Sequence, residues 1–145
     1  QMSLLHLENP LRPSLRPSLE RSEALQHTPN LQKLWLGNNE IGDSGAEAVA
    51  KALLYLPKLN ALALNFNQIE DDGAKALGEA LQYTNLLELD LDHNKIGNSG
   101  AEAFAEALEE NGGAPKLLRF FIYDNRFGYN GKAALAKAKA ARPGI

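Results

Sequence analysis

The stretch Leu31-Gln-Lys-Leu34-Trp-Leu36-Gly-Asn-Asn39-Glu-Ile41 decides the fold, because its residue types return three more times at the same offsets. The asparagines of successive copies stand at positions 39, 67, 94 and 125, which gives steps of 28, 27 and 31 residues. A period in this range is typical of a solenoid, in which a repeat buries its apolar face only by stacking on its neighbours. The later copies are Leu59, Leu62, Leu64, Asn67, Ile69; Leu86, Leu89, Leu91, Asn94, Ile96; and Leu117, Phe120, Ile122, Asn125, Phe127.

The pattern L-x-x-L-x-L-x-x-N-x-I/F of these copies resembles the leucine-rich repeat. The first three copies continue into glycine and an alanine-rich helical run, as in residues 41–50 and 96–105. This continuation resembles the ribonuclease-inhibitor-like subfamily, which includes Ran GTPase-activating proteins, the repeat domains of NOD-like receptors and tropomodulin. The resemblance covers residues 31 to about 139. It implies an α/β fold, a right-handed solenoid forming a horseshoe segment, with a parallel sheet on the concave face and α-helices on the convex face.

The repeat offsets divide the chain into four full units, at residues 31–58, 59–85, 86–116 and 117–145, preceded by a degenerate partial repeat at residues 1–30. Residues 23–28 match residues 79–84, the end of a repeat helix, and Leu5-His6-Leu7 is the candidate strand of the partial unit. Pro13 and Pro17 exclude a helix before about Ser18. We interpret this unit as an N-terminal cap on the open end of the solenoid, with a piece of a longer array as the alternative.

Each full copy predicts a short strand that ends in an inward turn. The alternation of a strand places Leu34 and Leu36 in the core, and it places Lys33 and Trp35 on the opposite face. The asparagine after each strand is predicted to be structural, because its amide can satisfy backbone groups of its own turn and of the adjoining one. This asparagine ladder consists of Asn39, Asn67, Asn94 and Asn125.

Helices are predicted to follow the turns. Ser44-x-x-Glu47 and Ser99-x-x-Glu102 have the form of a capping box, which places helix N-termini at these serines, and Asp72 or Asn130 are the corresponding candidates in the other two repeats. Residues 109–115 predict a longer, mobile loop on the rim.

The fourth helix departs from the pattern of the first three. Lys132 and Lys139 stand where the first helix carries Ala46 and Leu53, so this face of the fourth helix is predicted to meet water. The fourth repeat is therefore interpreted either as a terminal unit or as the cut end of a longer array.

Composition bounds the class of protein. The 145 residues include no cysteine, and 44% are hydrophobic and 23% charged, which predicts one domain in a reducing, cytoplasmic setting. No segment is apolar and long enough to cross a membrane. The net charge of −3 is unevenly spread, because residues 40–112 hold 14 acidic and 4 basic residues whereas residues 113–145 hold 1 acidic and 7 basic residues. The acidic body argues against binding to nucleic acid.

Motifs for catalysis are missing from the sequence, which has no nucleophile elbow and no P-loop, so we expect no enzymatic activity and no cofactor. The one cluster with ligand chemistry is Asp90-Leu91-Asp92-His93, with Asp124 on the next strand. Two aspartates on one exposed strand are usually solvated charge, and no metal is therefore expected.

The open face of the sheet carries the candidate site. A parallel sheet is normally covered on both faces, yet nothing in the repeats can cover the inner one. Aromatic residues beside charges on such a surface are typical of a binding site, with the alternative that the N-terminal segment folds over Trp35. The candidate partner-binding residues are Trp35, Phe66, Glu88, Asp90, Asp92, His93, Arg119, Phe121, Tyr123 and Asp124.

These observations predict a non-catalytic scaffold that binds a protein partner through its concave face. The alternatives are a regulator of a small GTPase, as Ran GTPase-activating proteins are, and a tropomodulin-like cytoskeletal module. The chain is expected to be a monomer, or to associate weakly through the ends of the solenoid.

Overall fold

Strands and helices alternate along the chain in the computed structural model, which describes residues 4–6, 29–109, 114 and 116–145. A turn of 3₁₀-helix extends the first helix at Leu53–Tyr55 and the second at Leu81–Tyr83. No helix within these ranges has the length and apolar character that a bilayer crossing requires. The strands are β1 (Leu4–His6), β2 (Lys33–Trp35), β3 (Ala61–Ala63), β4 (Glu88–Asp90) and β5 (Arg119–Phe121), and the helices are α1 (Asp43–Ala52), α2 (Asp71–Ala80), α3 (Asn98–Leu108) and α4 (Tyr129–Ala140).

The strands form one open sheet in sequence order, and all neighbours are parallel. Leu34 pairs with Leu62, and Leu89 pairs with both Leu62 and Phe120, so equivalent residues of successive repeats lie side by side. The predicted α/β solenoid is confirmed. The strand expected at residues 5–7 is found one residue earlier, at Leu4–His6, where it adds to the edge of β2.

Two expectations fall largely on residues outside the described ones. The prolines, the cap helix of the partial repeat and the segment proposed to cover Trp35 belong to residues 7–28. Most of the rim loop at residues 109–115 is also outside the described ranges.

The core lies between the sheet and the helices. Leu34, Leu62 and Leu89 are at most 1% exposed, because alternate strand residues point toward the helices. Ala46, Ala74 and Ala101 face them from the first turns of the helices and are fully buried. Their small side chains let α1, α2 and α3 approach the sheet closely, and the burial of the leucines supplies most of the driving force for folding.

The asparagine ladder joins each repeat to the one before it. The Oδ1 atom of Asn67 accepts hydrogen bonds from the backbone N–H groups of Asn39 and Ile41, at 3.2 and 3.1 Å. Its Nδ2 atom donates to the carbonyl oxygens of Leu36 and Leu64, at 3.0 and 2.9 Å. Asn94 and Asn125 make the equivalent contacts to Ile69 and Ile96 and to the strands beside them.

A second ladder caps the helices, and it corrects the capping boxes predicted at Ser44 and Ser99. The helices begin at Asp43 and Asn98, each after a glycine that makes no side-chain cap bond, so the two serines lie within the first turn. Asp72 and Asn130, the other predicted caps, are likewise second residues of their helices.

The capping oxygens come instead from the preceding repeat. Oδ1 of Asp43 accepts from the N–H groups of Glu70 and Gly73, both at 2.9 Å, at the start of α2. Gly73 is required by this contact, because a Cβ atom there would lie 2.7 Å from Asp43 Oδ1. Asp71 caps α3 and Asn98 caps α4 in the same way. We call Asp43, Asp71 and Asn98 the helix-cap ladder.

The two lysines of α4 differ from each other. Lys132 is exposed, as predicted, but Lys139 is half-buried and folds over the last strand. Its Nζ atom lies 3.5 Å from the carbonyl oxygen of Phe120 and 5.8 Å from the ring centres of Phe120 and Tyr123. Lys139 therefore covers part of the edge of β5 instead of extending into water.

Candidate partner-binding face

The face of the sheet opposite the helices carries rows of side chains that run across the strands. Because Lys33 pairs with Ala61 and Trp35 with Ala63, and the later strands keep this register, equivalent outward residues are neighbours. The register thus brings the predicted site residues of β4 and β5 together. The two rows are Lys33, Ala61, Glu88, Arg119, and Trp35, Ala63, Asp90, Phe121.

Aromatic side chains on this face differ in their accessibility. Trp35 is 39% exposed, Phe66 50% and Tyr123 62%, so three of the four predicted aromatic residues present a large apolar surface. Phe121 is only partly exposed, which differs from its predicted role as an open contact. The accessible apolar surface therefore lies at the two ends of the face and along its edge.

The edge of the face is formed by the residue directly before each ladder asparagine, three residues after the end of the strand. Asn38, Phe66, His93 and Asp124 all adopt a left-handed backbone, with φ between 53° and 62°. Such values are rare for residues other than glycine, and they are uncommon above all for a bulky side chain such as that of Phe66. The recurrence of this conformation means that the turn, and not the side chain, imposes it.

Side chains along that edge touch one another. The rings of Phe66 and His93 stack, with centroids 4.1 Å apart and planes inclined by 14°. Nε2 of His93 lies 3.2 Å from Oδ2 of Asp124. We call Phe66, His93 and Asp124 the rim strip, since they form a continuous band across three repeats.

The charged residues of β4 and β5 are engaged with each other. Nε and Nη2 of Arg119 both lie 2.7 Å from Oε2 of Glu88. Oδ1 of Asp92 accepts a hydrogen bond from the N–H of Tyr123 at 2.6 Å, and Oδ1 of Asp90 accepts one from the N–H of Asp92 at 3.0 Å. The sequence favoured the interpretation that the two aspartates are solvated charges. In the structure both accept hydrogen bonds from backbone N–H groups. Among the described residues no group of three or more His, Asp or Glu side chains has an arrangement suited to a metal ion.

Asp90 is the one described residue whose titration is clearly shifted. Partial burial raises the pKa of its carboxyl group above the ordinary value, and the negative charges of Asp92 and Glu88 raise it further. The hydrogen bond from the Asp92 backbone and the positive charge of His93 oppose these effects. Because the ionised form of Asp90 is disfavoured in the free protein, a cationic group of a partner would stabilise it.

Replacing Asp90 by Asn gives a test of this environment. Because the folded pKa is raised, ionised Asp90 opposes folding at neutral pH, and the wild type recovers this stability as the pH falls through the folded pKa. We expect Asp90→Asn to stabilise the protein at pH 7 by less than about 1 kcal/mol, given the partial exposure of the site. Urea unfolding midpoints between pH 4 and pH 7 measure this difference in stability. The midpoints of the two proteins should approach each other toward pH 4. A variant that is less stable than the wild type at pH 7 would contradict a raised pKa of Asp90.

A second accessible surface, on the helical side, was missed by the sequence reasoning. Leu54 is 56% exposed and Tyr83 67% exposed, both in the 3₁₀ turns that end the first two helical segments. They flank a shallow groove of about 370 Å³ between α1 and α2, which Glu47 also lines. The sequence signal was present in the apolar residues Leu54 and Tyr83 at these helix ends. We call this surface the convex groove.

Known proteins resemble the chain at the level of sequence family and fold. A family profile described as Leucine Rich repeat matches residues 27–50, 55–78 and 83–105. No protein of curated function matches the sequence significantly. The solved structure "Leiomodin-1 Actin-Binding Site 2 (ABS2)" matches with a TM-score of 0.73 and 22% identity, over 97% of this chain and 80% of that one. The tropomodulin C-terminal domain of Caenorhabditis elegans matches with a TM-score of 0.76 and 20% identity, over 97% and 84%.

These likenesses agree with the architecture derived from the repeats. At such identities they concern the fold, and they match it over nearly the whole chain. The three matched repeats show that the chain is a leucine-rich repeat protein, and its parallel sheet with a helix in each of the four full repeats is the ribonuclease-inhibitor-like form of this fold.

Proposed function

We propose that the chain is a non-catalytic protein-binding module whose concave face contacts the partner. The observation that carries this proposal is the accessible aromatic surface on the outer face of a parallel sheet that no described helix covers, where Trp35, Phe66 and Tyr123 are exposed. Both faces of a parallel sheet are normally covered, so an open face of this composition is best explained by an external partner.

The chemistry of the face indicates what kind of contact it makes. Tyr123 and the rim strip provide large rings beside ionised groups, and aromatic residues next to charges supply much of the affinity of protein interfaces. The raised pKa of Asp90 adds a carboxylate that a basic partner group would stabilise. The partner surface that fits is therefore mixed, with apolar contacts to the rings and a cationic group near Asp90.

The size of the sheet limits the affinity. Five strands at about 4.8 Å spacing, each three residues long at about 3.3 Å per residue, give a face of about 240 Å² before side-chain relief. Stable interfaces bury about 800 Å² on each partner. The concave face alone is thus expected to bind weakly unless the rim strip or a further surface takes part.

Actin is the first partner to test. The support is the likeness in fold to the leiomodin-1 structure, whose name states that it is an actin-binding site. This support is for a cytoskeletal module of tropomodulin type in preference to a regulator of a small GTPase. Titration of fluorescently labelled monomeric actin with the purified chain measures the interaction directly. Absence of binding at 100 μM of the chain would exclude actin as the partner.

Tyr123→Ala should weaken binding to the partner about tenfold or more, because the ring is exposed and its loss removes contact area but no core packing. Tyr83→Ala, which truncates an equally exposed tyrosine in the convex groove, is the matched control and should leave the dissociation constant unchanged. The pair is measured with actin, or with the protein recovered from a native lysate if actin does not bind. A larger loss for Tyr83→Ala would place the interface on the convex groove and overturn the proposal.

A further inference from the structure

A channel runs along β3 on the concave face. This strand presents Ala61 and Ala63 to the face, whereas Trp35 of β2 and Asp90 of β4 stand on either side of Ala63 in the same row. Each alanine side chain ends at its Cβ atom, so the floor of the channel lies below the side chains that flank it. The Cα atoms of Trp35 and Asp90 are two strand spacings apart, about 10 Å, which leaves room for one planar side chain of a partner above Ala63.

The walls and the floor of the channel are accessible. Trp35 is 39% exposed, and Ala63 and Asp90 are half-buried. Asn65 bounds the channel beyond Ala63, since a Cβ atom on Gly37 would lie 2.5 Å from Oδ1 of Asn65. The amide of Asn65 thus reaches over the glycine toward the chain that follows β2, and the channel is two rows long.

The two rows of the channel differ in charge. The first row holds the exposed Lys33, while Glu88 on the opposite wall is neutralised by Arg119 at 2.7 Å. The second row holds Asp90, whose Oδ1 atom accepts a hydrogen bond from the N–H of Asp92 at 3.0 Å. Oδ2 of Asp90 accepts no hydrogen bond from any residue that the structure describes. The second row therefore attracts a cationic group, which Lys33 keeps away from the first row.

We infer that the second row of the channel binds an arginine side chain of the partner protein, whose guanidinium group lies over Ala63, stacks on Trp35 and donates hydrogen bonds to Asp90. The inference rests on the proposed function, because it names the group that the partner places on the concave face. It adds a defined contact to a face that is too small to bind tightly through its area alone.

The chemistry of the two walls favours arginine over lysine. A guanidinium group is planar, so its flat side stacks on an indole ring while its edge donates hydrogen bonds to a carboxylate. The indole ring itself attracts a cation that lies within about 6 Å of the ring centre. An ammonium group is more strongly hydrated and has no plane to stack, so it gains less from both walls.

N-acetyl-arginine amide is the probe, because it carries one guanidinium group and no other charge. The chain contains a single tryptophan, so the indole N–H signal of Trp35 is assigned without ambiguity. We expect the probe, added at millimolar concentration and low salt to the ¹⁵N-labelled chain, to shift this signal together with the amide signal of Ala63. Shifts elsewhere that leave both signals unchanged would show that the channel is not the site.

Two further probes test the chemistry of the contact. N-acetyl-citrulline amide has nearly the same shape without the charge, and it should bind at least about fivefold more weakly than the arginine probe. N-acetyl-lysine amide should bind about threefold more weakly, because it keeps the charge but not the plane. Equal affinity of the arginine and citrulline probes would overturn the ion pair, and equal affinity of the arginine and lysine probes would overturn the choice of arginine.

Variants of the floor and of the acidic wall test the location. Ala63→Leu fills the channel without changing a charge, and it should weaken binding of the arginine probe about tenfold. Asp90→Asn keeps the shape of the wall and should weaken binding about threefold to fivefold, as expected for a partly exposed ion pair. Asp72→Asn removes the same charge from an exposed position of α2, so its affinity should stay within about twofold of the wild type. Equal losses for the two asparagine variants would indicate a diffuse field and no specific channel.

Binding of the partner protein to two variants separates this inference from the proposed function. Loss of affinity in both Ala63→Leu and Tyr123→Ala supports both proposals. Loss in Tyr123→Ala alone overturns the arginine contact and leaves the proposed function intact. Unchanged affinity in both variants, together with binding of the arginine probe at Trp35, overturns the proposed function while the channel keeps its preference for a guanidinium group.

Discussion

Asn67→Ala is expected to lower the free energy of unfolding by about 3 kcal/mol, because it leaves several buried backbone groups without partners. The amide of Asn67 accepts from the N–H groups of Asn39 and Ile41 and donates to the carbonyls of Leu36 and Leu64. The side chain is only 6% exposed, so water cannot replace these bonds without opening the turn. The loss is a large fraction of the stability of an ordinary domain, which is about 5–15 kcal/mol.

Urea unfolding followed by circular dichroism measures this change. Asn85→Ala is the matched control, since Asn85 also donates to a carbonyl of the preceding repeat, that of Pro57, but is exposed. It should cost less than about 1 kcal/mol. Asn125→Ala should fall between the two, because Asn125 is only partly buried. Similar midpoints for Asn67→Ala and Asn85→Ala would show that the ladder contributes little to stability.

Phe104→Ala should destabilise the protein by about 4 kcal/mol, the usual cost of removing a buried phenylalanine ring. Phe104 is fully buried in α3, and its ring lies 5.1 Å from that of Phe120 in β5 at an angle of 45°. The ring therefore joins the third repeat to the fourth. In a solenoid, stability is approximately the sum of repeat and interface contributions, so the fourth repeat should loosen first.

Hydrogen exchange of the α4 amides distinguishes this local loosening from uniform destabilisation. Phe104→Leu keeps most of the volume and serves as the control, with an expected loss of less than half that of the alanine variant. We expect α4 to lose protection in Phe104→Ala before α1 does. Equal loss of protection in α1 and α4 would show that the solenoid unfolds as one cooperative unit and that the contact has no local role.

The sequence predicted the sheet in some detail because the repeats share their offsets. Once Leu34, Leu62, Leu89 and Phe120 are recognised as equivalent, stacking of the repeats pairs them, and every outward row of the candidate face follows. The exposure of Trp35 and Tyr123 follows as well, since residues that alternate with buried core residues in an extended segment point away from the core.

The helix caps could not be predicted in this way. A capping box describes bonds within one segment, whereas Asp43 and Asp71 cap the helix of the following repeat, about 30 residues later. The hydrogen bond from the N–H of Tyr123 to Oδ1 of Asp92 also joins two successive repeats. These features depend on how closely two repeats approach each other, and the sequence of a single repeat does not predict that distance.

At the left-handed turns of Asn38, Phe66, His93 and Asp124, each side chain is kept on the surface at a cost in the stability of the fold. Glycine adopts this conformation freely, whereas another residue there costs on the order of 1 kcal/mol. Replacement by glycine would thus stabilise each turn but remove its side chain from the edge of the face. A larger aromatic side chain would add contact surface there and lower the stability of the fold. Because the cost is local to each turn, evolution can substitute these four residues one at a time. The surface chemistry of the edge can therefore change while the leucine core stays the same.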